Sequence, residues 1–349
     1  MTSGTRAGLT YPFEAPETGK ATVVADGILW IRLPLPMALD HVNIYALDDG
    51  HAWTIVDTGI GSATSRRLWR ALLSGPLGSK PVARVIVTHH HPDHIGLAGW
   101  FQSEHGAELL TTRTAWLMAR MLTLDVQDRP APETVAFWRR AGMDPDILAG
   151  RLEERPFNFA DAVARLPLGY TRIAEGYRIT AGGRDWTIRI GHGHAPEHAT
   201  LWSEDGTLVL GGDQLLPSIS PNLGVYATEP EADPVAEWLE ACERLSGFAT
   251  AEQLVLPGHK LPFRGLPLRL SQLIENHHGA LQRLEAYLNT PATASACFET
   301  LFKRQIGSGE YGLALVEAMA HCLHLWHHGR VTRRPREDGA WLWEREGSR

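Results

Sequence analysis

The sequence predicts an α+β fold in which two β-sheets lie between helices, followed by a C-terminal winged-helix-like domain. Three observations predict it. Strand-like segments come in two sets, each followed by helices. The chain of 349 residues is long enough for one large domain and a small appendage. From about Pro267 the pattern changes to helices alone and a final hairpin. We therefore predict a first domain over residues 20–265 and a second over residues 266–349.

The first set of strands lies in the first 115 residues. The segments TVVADGILWIRLP and HVNIYALDDGHAWTIVDTG each place Asp-Gly between apolar, β-branched runs, which is typical of hairpins. In SATSRRLWRALLS, a serine suited to the N-cap precedes leucines at helical spacing, which predicts a helix. The nearly all-apolar VARVIVT predicts a strand buried on both faces, and it leads directly into THHHPDH.

A helical insertion interrupts the strands over about residues 111–177. It contains helical patterns such as AWLMARMLTL and PETVAFWRRAGM, broken by Pro and Gly. We expect some of its large apolar side chains to pack the core of the insertion and the rest to line a substrate pocket. These side chains are Trp116, Met118, Met121, Phe137, Trp138 and Phe157.

The second set of strands begins with DWTIRIGHGHA and continues with HATLWSEDGTLVLGGD, in which Asp-Gly again marks a hairpin turn. A helix is predicted for DPVAEWLEACERLSG, with proline in its first turn. The segment QLVLPGH predicts a last short strand that ends on a histidine.

The C-terminal domain is predicted from three helical segments and a hairpin. LRLSQLIENHHGALQRLEAYLNT, ATASACFETLF and YGLALVEAMAHCLHLWHHG have helical patterns, and RVTRRPREDGAWLWE alternates around Asp-Gly. No carboxylate falls at matching spacing to the histidines of these helices, so we assign them surface and packing roles. They are His277, His278, His321, His324, His327 and His328.

Composition and charge exclude several classes of protein. The chain is 44% hydrophobic and 21% charged, as expected of a globular protein. Its net charge is −7; residues 261–349 carry 11 Lys or Arg against 9 Asp or Glu, which leaves −9 for the remainder. This balance disfavours nucleic acid as the partner. Three separated cysteines indicate neither disulfides nor a thiolate metal site.

The apolar segments indicate neither a signal peptide nor a membrane span. Residues 1–30 contain no apolar core behind a basic start, and nowhere do 18 apolar residues follow one another. We therefore expect a soluble, cytoplasmic protein with no membrane partner. A homo-oligomer is compatible with the sequence.

The motif H-x-H-x-D-H at residues 89–94 is typical of a metal site. A loop that leaves a buried strand can direct His89 and His91 to one side and Asp93 and His94 to the other, forming half of two adjacent sites. Imidazole and carboxylate ligands suit Zn²⁺, with Fe and Mn as alternatives. We expect the intervening His90 to lie outside the set of ligands.

Further ligands are predicted where later strands end. His194 in GHGHAPEH, Asp213 in GGD and His259 in PGH each follow an apolar run. Binding sites are commonly built at such strand ends, so we expect these side chains to complete two metal sites.

With these motifs in order, and with the DTG turn at Asp57, the chain resembles the metallo-β-lactamase-fold hydrolases over about residues 20–265. The resemblance implies an αββα sandwich and two divalent metal ions. It places His89, His91 and His194 on the first metal, and Asp93, His94 and His259 on the second. It also implies that Asp213 bridges the two metals.

Two differences from other branches of the family indicate which branches this chain resembles. Flavodiiron oxidoreductases resemble this pattern but have Glu where this chain has His91. Many secreted β-lactamases have Cys where this chain has Asp213, and they carry a signal peptide. Both departures favour the branches similar to glyoxalase II, to lactonases and to nucleases.

A site with two metal ions indicates a hydrolase, and we expect its substrate to be a small molecule. The two ions can hold a bridging water and lower its pKa so that hydroxide attacks an ester, thioester or lactone. Asp93 would orient that water or shuttle its proton, and His198, which recurs in the family pattern, would orient ligands or substrate. We expect Asp57 to hydrogen-bond the metal-binding loop rather than to touch a metal.

Two other functions remain open at this point. The C-terminal domain resembles the winged-helix extension of a branch that includes an endoribonuclease, which keeps a metal-dependent endoribonuclease or phosphodiesterase as an alternative. The few cations of its helix, and the offset of Arg333, Arg334 and Arg336 by neighbouring acids, favour an interaction or pocket-closing role instead. The third candidate is an iron-dependent sulfur dioxygenase, which shares many of the ligands.

Overall fold

The computed structural model describes residues 4–6, 8–78 and 80–347 of the chain. They divide into two compact units. The first comprises the described residues of Met1–Val126, Asn158–Pro221 and Leu245–Leu270, and the second those of Gln127–Phe157, Asn222–Arg244 and Ser271–Arg349. Ser79 in the first predicted domain, and Ser348 and Arg349 in the second, lie outside the described residues. The predicted boundary after residue 265 stays a prediction.

The strands of the first unit form two large sheets and one small one. Their bounds are β1 Gly4–Arg6, β2 Leu9–Tyr11, β3 Ala21–Ala25, β4 Ile28–Pro34, β5 His41–Asp48, β6 Trp53–Val56, β7 Val82–Ile86, β8 Glu108–Thr111, β9 Thr171–Arg172, β10 Arg178–Ala181, β11 Arg184–Gly191, β12 His198–Ser203, β13 Leu208–Gly212 and β14 Leu254–Pro257. Strands β3 to β9 form a seven-stranded sheet in chain order, and β10 to β14 form a five-stranded sheet in the same way. The predicted hairpins β3–β4, β5–β6 and β12–β13 are confirmed as antiparallel pairs.

The helices of twelve or more residues lie on predicted segments. Their bounds are α1 Ala63–Ser74, α2 Pro92–Ile95, α3 Ala98–His105, α4 Arg113–Leu124, α5 Pro132–Arg140, α6 Pro145–Glu153, α7 Pro234–Ser246, α8 Leu266–Tyr287, α9 Phe298–Phe302 and α10 Tyr311–His327. Helix α1 begins where predicted because the Ser62 side chain accepts a hydrogen bond from the N–H of Ser65.

The seven-stranded sheet is buried on both faces, because successive residues of a strand point to opposite sides. In β5, Ile44 faces a core that includes Trp69 of α1 and Phe101 of α3. The adjacent Tyr45 belongs to a second core, shared with Trp186 and other residues of the five-stranded sheet. This packing explains the nearly continuous apolar runs in the sequence.

The carboxyl ends of parallel strands bring the sequence motifs to the site. Strands β6 and β7 are parallel, and so are β13 and β14. The DTG and THHHPDH segments follow the first pair, whereas GGD and PGH follow the second pair. Side chains that leave parallel strands at the same end meet at that edge of the sheet.

The second unit contains the predicted C-terminal hairpin. Strands β15 Val331–Pro335 and β16 Trp341–Arg345 pair antiparallel. Helix α10 is largely buried, and the winged-helix-like arrangement of these elements stays a prediction. In the described residues, no helix has the length and apolarity needed to cross a membrane.

The large side chains of the predicted insertion have different environments. Phe137 is buried, and Trp116 stacks on Tyr170 with the ring centroids 4.9 Å apart. Met121 and Phe157 are exposed. Trp116 therefore packs within the predicted insertion, as expected, whereas the substrate pocket predicted for the remaining side chains stays a prediction.

Candidate metal centre

The loop after β7 turns into α2 and separates the side chains of H-x-H-x-D-H. His91 is the N-cap of α2, and Pro92 occupies the first turn, where its missing N–H costs no hydrogen bond. The N–H groups of His94 and Ile95 both donate to the carbonyl of His91 at 3.0 Å. His91 therefore lies before the helix and Asp93 and His94 within it, as the sequence predicts for two half-sites.

The first cluster contains His89, His91 and His194. His91 Nδ1 lies 3.0 Å from His89 Nε2 and 3.1 Å from His194 Nε2. The three residues form one of the groups whose ligand atoms could hold a metal ion. The structure thus brings together the three histidines that the resemblance assigns to the first metal.

The second cluster contains Asp93, His94 and His259. Asp93 Oδ2 lies 3.5 Å from His94 Nε2 and 3.3 Å from His259 Nε2. This set, too, could hold a metal ion.

Asp213 lies between the two clusters. Its Oδ1 is 3.4 Å from His94 Nε2, whereas its Oδ2 is 3.2 Å from His259 Nε2 and 3.5 Å from His194 Nε2. One carboxylate therefore faces histidines of both clusters, and all seven predicted ligand residues lie together.

A buried carboxylate outside the clusters fixes the orientation of two of the histidines. Asp57 accepts hydrogen bonds from the N–H of Thr88 at 2.8 Å and from the Thr88 hydroxyl at 2.9 Å. The Thr88 oxygen in turn lies 3.0 Å from His89 Nδ1, and Asp57 Oδ2 lies 2.8 Å from His94 Nδ1. Both histidines therefore donate from Nδ1 and direct Nε2 towards the clusters. Asp57 hydrogen-bonds the loop, as expected from the sequence.

His259 is oriented by a backbone carbonyl. Its Nδ1 donates to the carbonyl oxygen of His41 at 2.7 Å, which again leaves Nε2 as an acceptor. This nitrogen faces the carboxylates of Asp93 and Asp213, which are also acceptors. Acceptors that face one another in a buried site require a cation or a proton between them.

The pKa values of the clustered histidines are set by their burial and by the charges around them. Burial alone would lower the pKa of His94, but the carboxylates of Asp213, Asp93 and Asp57 raise it well above its usual value. Burial would also lower the pKa of His259, but Asp213 and Asp93 outweigh it and raise that pKa to about 10. Burial and the neighbouring His94 lower the pKa of His89 well below its usual value. Positive charge is thus stabilised beside the carboxylates, where a metal ion would lie.

Two glycines allow the close approach of backbone and ligands. A Cβ on Gly258 would lie 2.2 Å from Asp213 Oδ1 and 2.9 Å from His94 Cε1. A Cβ on Gly212, whose φ is +47°, would lie 2.5 Å from His198 Cε1. The glycines of GGD and PGH are therefore required by the packing of the site.

His198 supports the backbone of the site. Its Nε2 accepts a hydrogen bond from the N–H of Asp213 at 3.0 Å, and its ring stacks on His89 with the centroids 4.6 Å apart. Burial and His194 lower the pKa of His198 to about 3, so the ring is neutral. These contacts are those of a positioning residue.

His90 and His192 lie beside the clusters but outside them. His90 is buried, with its ring centroid 4.6 Å from that of His91, and it belongs to none of the metal-binding groups of the described residues. His192 Nδ1 accepts the N–H of Glu197 at 3.4 Å. Sequence reasoning missed the roles of Thr88 and His41, because both act through hydrogen bonds between distant segments.

The residues fit the divalent metals expected from the resemblance. The buried His94 Nε2 and Asp213 Oδ1 have no hydrogen-bond partner, although the surrounding nitrogens and oxygens are close enough to share a cation. Imidazole and carboxylate donors suit Zn²⁺ and, less selectively, Fe and Mn.

Fold and site together define a class of protein in which two packed sheets present His- and Asp-rich loops that could hold metal ions. The chain belongs to the metallo-β-lactamase superfamily, whose family model matches residues 37–266. A second model, described as the metallo-β-lactamase-like C-terminal domain, matches residues 281–346. These matches confirm the resemblance and the αββα fold class.

Three relatives cover most of the chain. A β-lactamase domain protein from Burkholderia ambifaria has 35% sequence identity and a TM-score of 0.88, with 97% of this chain and 98% of that chain covered. The metallo-β-lactamase family protein TTHA1429 from Thermus thermophilus has 26% identity and a TM-score of 0.77, with 93% and 100% covered. The probable metallo-hydrolase YqjP of Bacillus subtilis (strain 168) is 25% identical over 313 residues, 86% of this chain and 92% of that protein.

Proposed function

We propose that the protein is a dinuclear-metal hydrolase of an ester, thioester or lactone. The observation that carries the proposal is the position of Asp213, whose two oxygens face histidines of both clusters. A carboxylate shared by two adjacent ligand sets is suited to hold two cations in one site. The name metallo-hydrolase given to the Bacillus subtilis relative agrees with this chemistry.

The potential ligands would be shared between two cations, and Asp93 would have a second role. His89, His91 and His194 would hold one cation, and Asp93, His94 and His259 the other. Two bound cations would supply hydroxide at neutral pH and polarise the substrate oxygen. The side chain of Asp93 is 17% exposed, against 9% for Asp213, so Asp93 is the carboxylate better placed to orient the attacking water and receive its proton.

His198 would act through Asp213 rather than on the substrate. Because its Nε2 receives the Asp213 N–H, its ring holds the backbone on which Asp213 is presented. We therefore propose that the orienting role predicted for His198 is exerted on the ligand Asp213, through its backbone, rather than on the substrate.

An exposed apolar stripe on α4 supports an acyl-bearing substrate. Glu197, three residues after His194, accepts the N–H of Thr114 at 2.8 Å and so fixes the start of α4 beside the His194 loop. Leu117, Met121 and Leu124 lie at helical spacing along α4 and are exposed. We propose that this stripe contacts the apolar part of the substrate.

The C-terminal hairpin supports a small molecule over nucleic acid. Arg333 forms an ion pair with Glu231, and its guanidinium lies 3.9 Å from the ring centroid of Trp326 and 4.0 Å from that of Trp341. Arg336 pairs with Asp338. These acidic partners offset the positive charge with which the hairpin could attract phosphates.

The function is tested by assaying one zinc-loaded preparation against acyl-thioesters and lactones beside single-stranded RNA and a phosphodiester. We expect turnover of an acyl substrate, its loss after chelation and its return with Zn²⁺. An iron-loaded sample with a persulfide in an oxygen electrode serves as the test for dioxygenase activity. RNA cleavage with a steep salt dependence and inert acyl substrates would instead establish the nuclease.

Met121→Ser is expected to weaken binding of long acyl chains. Removing apolar contacts should raise KM several-fold for the longest acyl chain of a series and leave kcat and the shortest chain nearly unchanged. Leu168→Ser, which removes another exposed apolar side chain, is the matched control. Equal KM values in both variants across the series would remove the stripe from the substrate site.

A further inference from the structure

A second group of potential metal ligands lies in the C-terminal unit. Asp233 immediately precedes α7, and His324 and His328 lie in and just after the last turn of α10. Within the described residues, this is the group of potential ligands that shares no member with the candidate metal centre. The sequence offered no sign of it, because the carboxylate lies 91 residues from the nearer histidine.

His324 in the last turn of α10 and the C-cap residue His328 are four positions apart, a spacing that brings their rings together on one side of the helix end. Their ring centroids are 4.3 Å apart. His324 Nδ1 lies 3.0 and 3.1 Å from the two oxygens of Asp233, and His328 Nδ1 lies 4.0 Å from Asp233 Oδ2. Similar separations occur between the ligand atoms of the candidate metal centre.

The two oxygens of Asp233 have different surroundings. Oδ1 accepts the N–H of Ala236 at 3.0 Å and so caps α7. Oδ2 lies 4.0 Å from His328 Nδ1 and 3.1 Å from His324 Nδ1, beside both rings. Oδ1 therefore caps the helix, whereas Oδ2 is available to bind a metal ion. Although burial alone would raise the pKa of Asp233, the hydrogen bonds from His324 and Ala236 hold it below its usual value, so the group is ionised.

A cavity of about 580 Å³ opens at the two histidines and provides access. Its lining includes Glu240, Glu243 and Glu285, of which Glu285 is paired with Arg330 of the lining and also with Arg345. The excess of negative charge favours a cation in the cavity. Its volume also leaves room for water on the open side of a bound ion.

We propose that Asp233, His324 and His328 bind one divalent transition-metal ion of the zinc class. Two imidazoles and one carboxylate with an open fourth position match the ligand preferences of Zn²⁺. On binding, His328 exchanges its present hydrogen bond to the carbonyl of His324 for the metal, a small change for an exposed side chain at the helix end. The ion links the first turn of α7 to the last turn of α10.

The proposal is tested on the full chain, stripped with a chelator and then dialysed against buffered Zn²⁺. We expect Asp233→Asn and His328→Gln each to bind one ion per chain fewer than the wild type, with an affinity loss at this site of at least about tenfold. Asparagine retains the cap of α7, so Asp233→Asn is expected to fold. His327→Gln, which changes the neighbouring histidine, is the matched control and should retain the wild-type count.

The readout is a difference in metal content, so it does not depend on how many ions the candidate metal centre binds or on any hydrolytic activity. Thermal melts should show that added Zn²⁺ raises the Tm of the wild type and His327→Gln more than that of His328→Gln. Co²⁺ absorption should lose intensity in His328→Gln but not in His327→Gln. Equal metal counts in the wild type, Asp233→Asn and His328→Gln would overturn the proposal and leave Asp233–His324 as an ion pair that caps the helix.

Discussion

Asp213→Ala should abolish most hydrolysis and reduce the metal content of the candidate metal centre. The substitution removes the carboxylate that faces His94, His194 and His259, so both clusters lose the ligand that lies between them. Loss of a ligand should lower kcat/KM by at least about 100-fold. Metal analysis of the purified variant, together with initial rates at fixed free Zn²⁺, measures both effects.

Two further variants serve as controls for Asp213→Ala. Asp213→Asn preserves size while removing charge, so activity should remain low although the fold is unchanged. Asp26→Ala removes an exposed carboxylate in the β3–β4 turn and should retain wild-type metal content and rate. Wild-type turnover in Asp213→Ala would exclude Asp213 as the bridge between the two cations.

The order of the motifs made the site predictable from the sequence. Each ligand motif follows an apolar run that proved to be a strand ending at the site; β13 and β14 are fully buried, whereas β7 and β11 also contain residues that are exposed or partly exposed. The turns were equally local: Gly27 and Gly50 have positive φ values in the hairpins predicted for them. Local patterns of this kind require only a few consecutive residues, so a single sequence contains them.

The hydrogen bonds that orient the ligands could not be predicted in the same way. His259 depends on the carbonyl of His41, 218 residues away, and Thr88 connects His89 to Asp57 across 31 residues. Such contacts depend on which strands lie side by side and in which register. No spacing along the chain encodes them.

The histidines of the C-terminal helices illustrate the same limit. Packing roles suit His277 and His321, which are buried and stack with their ring centroids 5.6 Å apart. The surface or packing role assigned to His324 did not include a carboxylate partner, because Asp233 approaches from another element rather than from a matching position along the helix. Tertiary contact, rather than sequence spacing, supplied the partner.

The orienting hydrogen bonds connect the fold to the chemistry. Asp57 has a φ of +62°, a conformation unfavourable for a residue with a side chain, and it is held there between β6 and the loop after β7. From that position one carboxylate directs His94 and, through Thr88, His89. Since these two histidines belong to different clusters of potential ligands, the backbone conformation at Asp57 couples the geometry of both clusters.

The metal-free protein should lose stability as the pH rises from about 6.5 to 10. The folded pKa of His259 is about 10, above its ordinary value of 6.5, because Asp213 and Asp93 outweigh the effect of burial. A raised folded pKa means that the native state binds more protons than the unfolded state between these two values. The stabilisation is therefore complete below the unfolded pKa and is lost as the pH rises through the folded one. A shift of this size corresponds to roughly 5 kcal/mol.

Urea unfolding of the chelator-treated protein at several pH values measures this loss, and zinc should reverse it. Added Zn²⁺ replaces the protons on His94 and His259, and metal binding strengthens as ligands deprotonate, so the zinc-loaded protein should remain stable at about pH 9. His259→Gln should reduce the pH dependence of the metal-free protein, whereas His51→Gln, on an exposed turn, should leave it unchanged. A free energy of unfolding that stays constant over this pH range without metal would mean that the carboxylates do not hold a proton on His259. In that case, the carboxylates would not stabilise a positive charge beside His259, and a metal ion would no longer be expected at this position.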